Sequence, residues 1–240
     1  MSMTEGWERE AENWVRWART PGHDAYWHYS ASFFEHIVPA ARRRTLEVGC
    51  GEGRVARDLA RRGHNVTAVD ASLTLLRYAR EADPTGHYLV ADGATLPFPD
   101  GAFDLVVAYN ALMDIADMPG AVREATRVLE PGGCFCICVT HPLNDAGGFD
   151  STEPDAAFTI HGSYLDSRPS NETFERDGLR MTFHSQTHPL EDYARALEGA
   201  GLLIERLREP AVSAEGVARQ ASYRRWERLP MFLHLRAIKR

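Results

Sequence analysis

Apolar and polar positions fall into a repeating pair of patterns from residue 45 onward. A short apolar run is followed by a longer segment with apolar residues three and four apart. "TLEVGC" reads as a first strand and "GRVARDLARRG" as a helix, with Val55, Leu59 and Ala60 on one side and Gly63 as its stop. "NVTAVD" is a second strand. "ASLTLLRYAREA" is a helix that Ser72 can cap, and "HYLVAD" is a third strand. "FDLVVAYN" is a fourth, whose apolar continuity suits a strand buried on both faces. A helix over "MPGAVREATRVLEPGG", closed by Pro131 and Gly132, leads to a fifth strand, "CFCICVTH". Helices alternating with such strands predict a mostly parallel, doubly wound α/β sheet.

The rhythm breaks over residues 142 to 178, a polar stretch containing Gly147, Gly148, Pro154 and Pro169 and no sustained period. An insertion of that length is either a lid or binding loop or a decoration of the fold. "HPLEDYARALEGAGL" resumes as a helix, and "LLIERLRE" and "MFLHLRAIKR" can pair antiparallel to finish a seven-stranded sheet. Before the first strand lies a helical segment rich in aromatic residues. One domain is expected: an N-terminal helical cover over residues 1–44, a core over 45–140, an insertion over 141–186, and a C-terminal helix with strands over 187–240.

Composition narrows the partners. The 240 residues carry a net charge of -7, which argues against an electrostatic grip on nucleic acid or anionic lipid and favours a small-molecule partner. No run approaches the roughly 18 apolar residues of a spanning helix, and the N-terminus lacks the apolar stretch of a signal peptide, so a cytoplasmic protein is expected. Cys134, Cys136 and Cys138 alternate within one strand and share a face about 7 Å apart, poor geometry for a disulfide or a tetrahedral metal. No metal is expected.

Candidate chemistry begins at "LEVGCGEGR", residues 46–54. Its glycines lie between a predicted strand and a predicted helix. There glycine permits a tight turn and close approach of a ligand, and a helix N-terminus offers free amides; a purely structural turn is the other reading. Asp70 ends the second strand about 20 residues later, the separation at which an acid accepts both hydroxyls of a ribose. Dinucleotides and S-adenosylmethionine share these features. The dinucleotide fingerprint wants glycine or alanine at position 54, where this chain has Arg54.

A second acid, Asp92, ends the third strand. In order and spacing, "LEVGCGEGR", "VDAS", "ADGATLPFPDGAFDLV" and "REATRVLEPGG" resemble the successive motifs of class I S-adenosylmethionine-dependent methyltransferases over roughly residues 45 to 140. The resemblance implies a Rossmann-like fold and S-adenosylmethionine as cofactor. It places Gly49, Cys50 and Gly51 along the methionine portion, with Glu47 beneath them orienting the ammonium. Asp70 is expected on the ribose, Ala71 beside the adenine, Asp92 on its amino group, Gly93 close to the ring, and Asn110 near the methionine end.

In such a fold the acceptor binds beyond the carboxyl ends of the strands, which points to Tyr109 through Asp114, His141 and the insertion. His141 has two readings: a general base whose ordinary pKa near 6.5 suits a hydroxyl acceptor, or a residue of a "THP" turn bonded to backbone. Methyltransferases of this type often carry a basic residue near His184 and His188, without a diagnostic match here. Trp14, Trp17, Tyr26, Trp27 and Phe33 are either a helix packed on the sheet or a cover over the ligands. The expected reaction is in-line methyl transfer to oxygen or nitrogen of a small molecule. The alternatives are a methyltransferase of RNA or protein and a non-catalytic module that binds the cofactor.

Overall fold

The computed structural model describes residues 2–41 and 44–240. Arg42 and Arg43, ahead of the first strand, lie outside the described residues. The chain opens on helix α1 (Met3–Arg19), started by a reciprocal cap in which the Ser2 hydroxyl accepts the Glu5 amide and the Glu5 carboxylate accepts the Ser2 amide. Helix α2 (Tyr26–His36) follows. The alternating core then runs β1 (Thr45–Val48), α3 (Arg54–Arg61), β2 (Val66–Asp70), α4 (Leu73–Ala82), β3 (His87–Val90) and β4 (Phe103–Tyr109). A 3-10 turn over Leu112–Asp114 leads to α5 (Met118–Val128) and β5 (Leu129–Thr140). Ser72 caps α4 through the Leu75 amide at 3.0 Å, and Asp117 caps α5 through the Gly120 amide at 2.9 Å.

Helix α5 stops at Val128, earlier than Pro131 and Gly132 suggest. Leu129 is already paired with Phe103, so the sheet claims the backbone before the Pro-Gly turn residues are reached. Beyond β5 lie α6 (Pro142–Asp145), a small hairpin of β6 (Gly147–Phe149) and β7 (Phe158–Ile160), and a longer hairpin of β8 (Arg168–Arg176) and β9 (Leu179–Thr187). The stretch without a period is therefore largely hairpin. Its second turn, Asp177-Gly178, holds both residues at positive φ (51° and 75°), as a two-residue turn matched to strand twist requires. Helix α7 (Leu190–Gly199), β10 (Leu202–Arg208), α8 (Ala214–Arg219), a 3-10 segment over Ala221–Glu227 and β11 (Phe232–Lys239) complete the chain.

The main sheet has seven strands in the order β10-β11-β5-β4-β1-β2-β3, parallel except for β11, which runs antiparallel to both neighbours. Its two faces alternate along each strand. Val106, Ala108, Phe135 and Ile137 pack toward α5 and α7. Leu105, Val107, Cys134, Cys136 and Cys138 pack toward α2 and α3, so the three cysteines share one buried face with Tyr29, Phe33 and Leu59, none of them in a disulfide. Strand order reverses between β1 and β4, and the crevice at the carboxyl ends of those two strands is where such sheets bind ligands.

Candidate cofactor and acceptor site

The glycine turn sits at that crevice. The Gly49 and Cys50 amides donate to Val69 O at 2.9 and 3.0 Å, and Gly53 closes the turn onto Cys50 O. Gly49 has φ +71°, and a Cβ there would lie 2.4 Å from the Ala111 side chain, so neither dihedral nor space admits another residue. Asp70 fastens the turn from β2: one carboxylate oxygen accepts the Gly51 amide at 2.8 Å and the other the Ser72 amide at 2.8 Å. Burial raises its pKa against the pull of those amides. With two of about four acceptor positions used, the carboxylate keeps capacity for a diol.

Glu47, from the fully buried strand β1, lies below the turn and is only 1% exposed, with Oε2 lacking any partner. Burial, reinforced by the Asp70 charge, pushes its carboxyl well above the usual range. A buried, unpaired carboxylate oxygen at a cavity wall fits an ammonium group. A cavity of about 980 Å³ opens here, and Glu47, Gly49, Cys50, Gly51, Asp70 and Ala71 all line it. Asp92, Gly93 and Asn110 line it as well. Asp92 is exposed and accepts the Ala94 amide at 2.9 Å. Gly93 is buried, and a Cβ there would lie 2.7 Å from Ile115 and 2.9 Å from Val48, so packing demands glycine independently of any ring. Asn110 takes φ 51° after β4; its side-chain oxygen accepts from the Cys138 thiol at 3.3 Å.

The aromatic residues of the N-terminus divide between core and cavity. Tyr26 and Phe33 belong to the core under the sheet, whereas Trp14 and Trp17 line the cavity and Trp27 points outward, 57% exposed. Trp7, which the sequence reading did not single out, completes the cover. Its indole donates to His184 O at 2.8 Å, and Trp7, Trp14 and Trp17 each meet Phe183 of β9 edge to face. Helix α1 and the β8–β9 hairpin thus close over the crevice together. Arg54 is folded into the wall, ion-paired with Asp24 and stacked on Tyr26 at 4.2 Å and Trp14 at 5.4 Å.

At the acceptor end the structure brings in carboxylates that no motif announces. Asp114, after β4, and Asp145, in α6, both line the cavity, and neither side chain receives a hydrogen bond among the described residues. Burial, then the Asp145 charge, holds Asp114 well above the carboxylate range; burial, then Glu172, raises Asp145 to about 7.

His141 is not in the cavity lining, which corrects its expected place at the acceptor rim. Its Nδ1 accepts the Leu143 amide at 3.1 Å, capping α6, so Nε2 carries the hydrogen and donates to Glu209 at 2.9 Å. Both nitrogens are committed, and burial lowers its pKa. The turn-and-cap reading describes it. His184 lies against Gly6 and bonds Asn171, and His188 sits beside Asp192 and Tyr193; neither lines the cavity. Among the described residues no group of His, Cys, Asp and Glu side chains is arranged to hold a metal ion, and no helix is long and apolar enough to cross a membrane.

Known proteins resemble this chain in sequence and in fold. The family model described as "Methyltransferase domain" matches residues 46–137. The chain is 36% identical over 175 residues to a malonyl-[acyl-carrier protein] O-methyltransferase of Enterobacter lignolyticus, covering 68% of this chain and 67% of that one. It is 39% identical over 99 residues to the enzyme of the same name from Erwinia pyrifoliae, of which it spans only 38% while 41% of this chain is matched. A crystal structure of an S-adenosylmethionine-dependent methyltransferase from Mesorhizobium loti superposes with a TM-score of 0.73 at 24% identity, over 90% of this chain and 98% of that one. The glycine turn, Asp70 at the end of β2 and Asp92 just beyond β3 all lie within residues 46–137, and the chain belongs to the class I S-adenosylmethionine-dependent methyltransferases.

Proposed function

We propose that the protein transfers the methyl group of S-adenosylmethionine to oxygen or nitrogen of a small-molecule acceptor by in-line displacement. The observation that carries this reading is the continuity of one cavity from the orphaned Glu47 carboxylate and the glycine turn to Asp114 and Asp145. The cofactor supplies an already activated methyl on a sulfonium, so the chain's task is to hold, align and exclude water. Glu47 orients the ammonium, Asp70 the ribose hydroxyls and Asp92 the adenine amino group, while Gly49, Cys50 and Gly51 border the methionine portion. Ala71, Gly93 and Asn110 complete the walls. The tryptophans of α1 and Phe183 shut the cavity against solvent.

The acceptor's proton has a destination. Asp145, with a pKa raised to about 7, is suited to take a proton near neutrality from a hydroxyl or an ammonium; Asp114 beside it senses its charge. This role replaces the one expected of His141. The name of the relatives, malonyl-[acyl-carrier protein] O-methyltransferase, describes an acceptor with a free carboxylate. Asp145 supplies a base that a carboxylate nucleophile does not need, which disfavours such a nucleophile here. A net charge of -7 likewise disfavours RNA.

The test is calorimetry with S-adenosylmethionine and S-adenosylhomocysteine, followed by a radiolabelled methyl-acceptance screen over alcohols, phenols and amines. Absence of binding removes the reading. Binding with no transfer across the whole panel favours the non-catalytic module.

A further inference from the structure

Three guanidinium groups line the cavity among the described residues: Arg54, Arg176 and Arg225. Arg54 is neutralised by Asp24. The other two are not ion-paired with any carboxylate among the described residues. Arg176 ends β8 at the tip of the hairpin, donates to Gly22 O at 2.7 Å and lies over Trp17 at 5.9 Å. Arg225 comes from the 3-10 segment before β11, donates to Ser222 O, and lies over Phe149 at 5.5 Å and Trp226 at 5.8 Å. Its Nε is buried without a partner.

Two segments far apart in sequence thus bring like charges to one cavity. Burial lowers the Arg225 pKa, and the nearby Arg176 charge lowers it further against the opposing influence of Tyr223. The carboxylates at the reacting end feel a different neighbourhood, since Asp145 responds to Glu172 and Arg168. Among the described residues the acids of the lining, Glu47 and Asp70 around the glycine turn and Asp114 and Asp145 beyond it, leave Arg176 and Arg225 as its cations without a carboxylate partner. A pair of unpaired, half-buried guanidiniums in contact with aromatic faces costs free energy in the empty state, and an oxyanion bound in their forks offsets it.

We propose that Arg176 and Arg225 form an oxyanion subsite, so that the methyl acceptor carries a carboxylate or phosphate on an apolar body, remote from its nucleophile. The inference rests on the methyl-transfer reading for the word acceptor, and on the lining alone for the anion.

Phenyl phosphate, benzoate and the neutral control benzyl alcohol, titrated by calorimetry into protein with and without S-adenosylhomocysteine, test it. The anions are expected to bind at least about 10-fold more tightly than benzyl alcohol, and Arg225→Gln to weaken them about 10-fold or more, the equivalent of one lost charge-assisted contact. Arg176→Gln should act in the same direction, and both variants should keep wild-type affinity for S-adenosylhomocysteine, which also reports that they fold. If Arg225→Gln does not fold, Arg176→Gln and Arg225→Lys, which keeps the charge and loses the fork, carry the test. A preference for phenyl phosphate identifies a phosphate acceptor, and a preference for benzoate a carboxylate. Anions binding no better than benzyl alcohol, or undiminished in the folded glutamine variants, overturn the subsite. Anion binding without binding of S-adenosylhomocysteine removes the methyl-transfer reading and leaves the subsite standing.

Discussion

Glu47 places a carboxylate with one orphaned oxygen in a nearly dry position, and its raised pKa means that the ligand-free protein holds a proton there to higher pH than an ordinary glutamate does. An ammonium can pair only with the ionised form. Cofactor binding is therefore expected to release a proton and to tighten as pH rises toward that pKa. Calorimetry in buffers of different ionisation enthalpy should show the release, and Glu47→Gln should abolish it while weakening binding by about 1.5–3 kcal/mol. In the proposed site Asp70 does two things at once, since the oxygens it would offer to a ribose already hold the Gly51 and Ser72 amides. Asp70→Ala is accordingly expected to cost about 1.5–3 kcal/mol in affinity for both S-adenosylmethionine and S-adenosylhomocysteine. A folded variant with wild-type affinity would show that the ribose lies elsewhere. For His141, the cap on α6 and the bond to Glu209 predict that His141→Gln loses about 1 kcal/mol of stability and leaves single-turnover methyl transfer within a few-fold of wild type. A 100-fold loss of rate with unchanged cofactor affinity would restore the ring to the mechanism.

The β8–β9 hairpin shows what an element contributes beyond its residues. Most of β8 faces solvent, and the hairpin is held by its ladder, by the aromatic contacts of Phe183 with α1, and by a turn that requires positive φ twice. A Cβ on Gly178 would meet no atom, so Gly178→Ala charges only the backbone strain, roughly 1–2 kcal/mol. Hydrogen exchange should quicken across residues 168–187 and stay unchanged in β1, β4 and β5. Uniform quickening would mean that the hairpin and core open as one unit. The same hairpin marks where the sequence stopped being legible. The βα alternation was readable because β1, β4 and β5 are buried on both faces and helices such as α4 announce their caps. In β8 the residues "RPSNETFER" alternate with little apolar contrast, and only Asp177-Gly178 signals the turn; that dipeptide was there to be used. Asp114 was legible only as the end of the segment after the fourth strand and Asp145 only as part of the insertion, since neither belongs to a motif of its own. They become neighbours only when the sheet forms and α6 folds back over the crevice.

At the scale of the whole molecule, the cavity ties stability to pH. Glu47, Asp70, Asp114 and Asp145 all have folded-state pKa values above their ordinary ones, so each contributes stability at low pH that is lost as pH rises through the folded pKa. For Asp145 that window runs from about 4 to about 7. The buried histidines act in the opposite sense. His141, His188 and His234 are lowered by burial, His234 to about 3, so the unfolded chain takes up protons preferentially as pH falls below about 6.5, and stability falls with it. The ligand-free protein is thus expected to be most stable between roughly pH 5 and 6.5 and to lose Tm toward pH 8. Asp145→Asn removes one ionisation from the alkaline side. It should flatten that limb by on the order of 2 kcal/mol, about 4–8 °C for a chain of this size. Saturating S-adenosylmethionine should restore stability at pH 8 more than at pH 5 if, as proposed, its ammonium pairs with the ionised Glu47 that burial penalises. Scanning calorimetry across pH on wild type and Asp145→Asn measures both effects. A ligand-free Tm that climbs steadily to pH 8, with no difference between the two proteins, would mean that these carboxylates are solvated and carry no burial penalty.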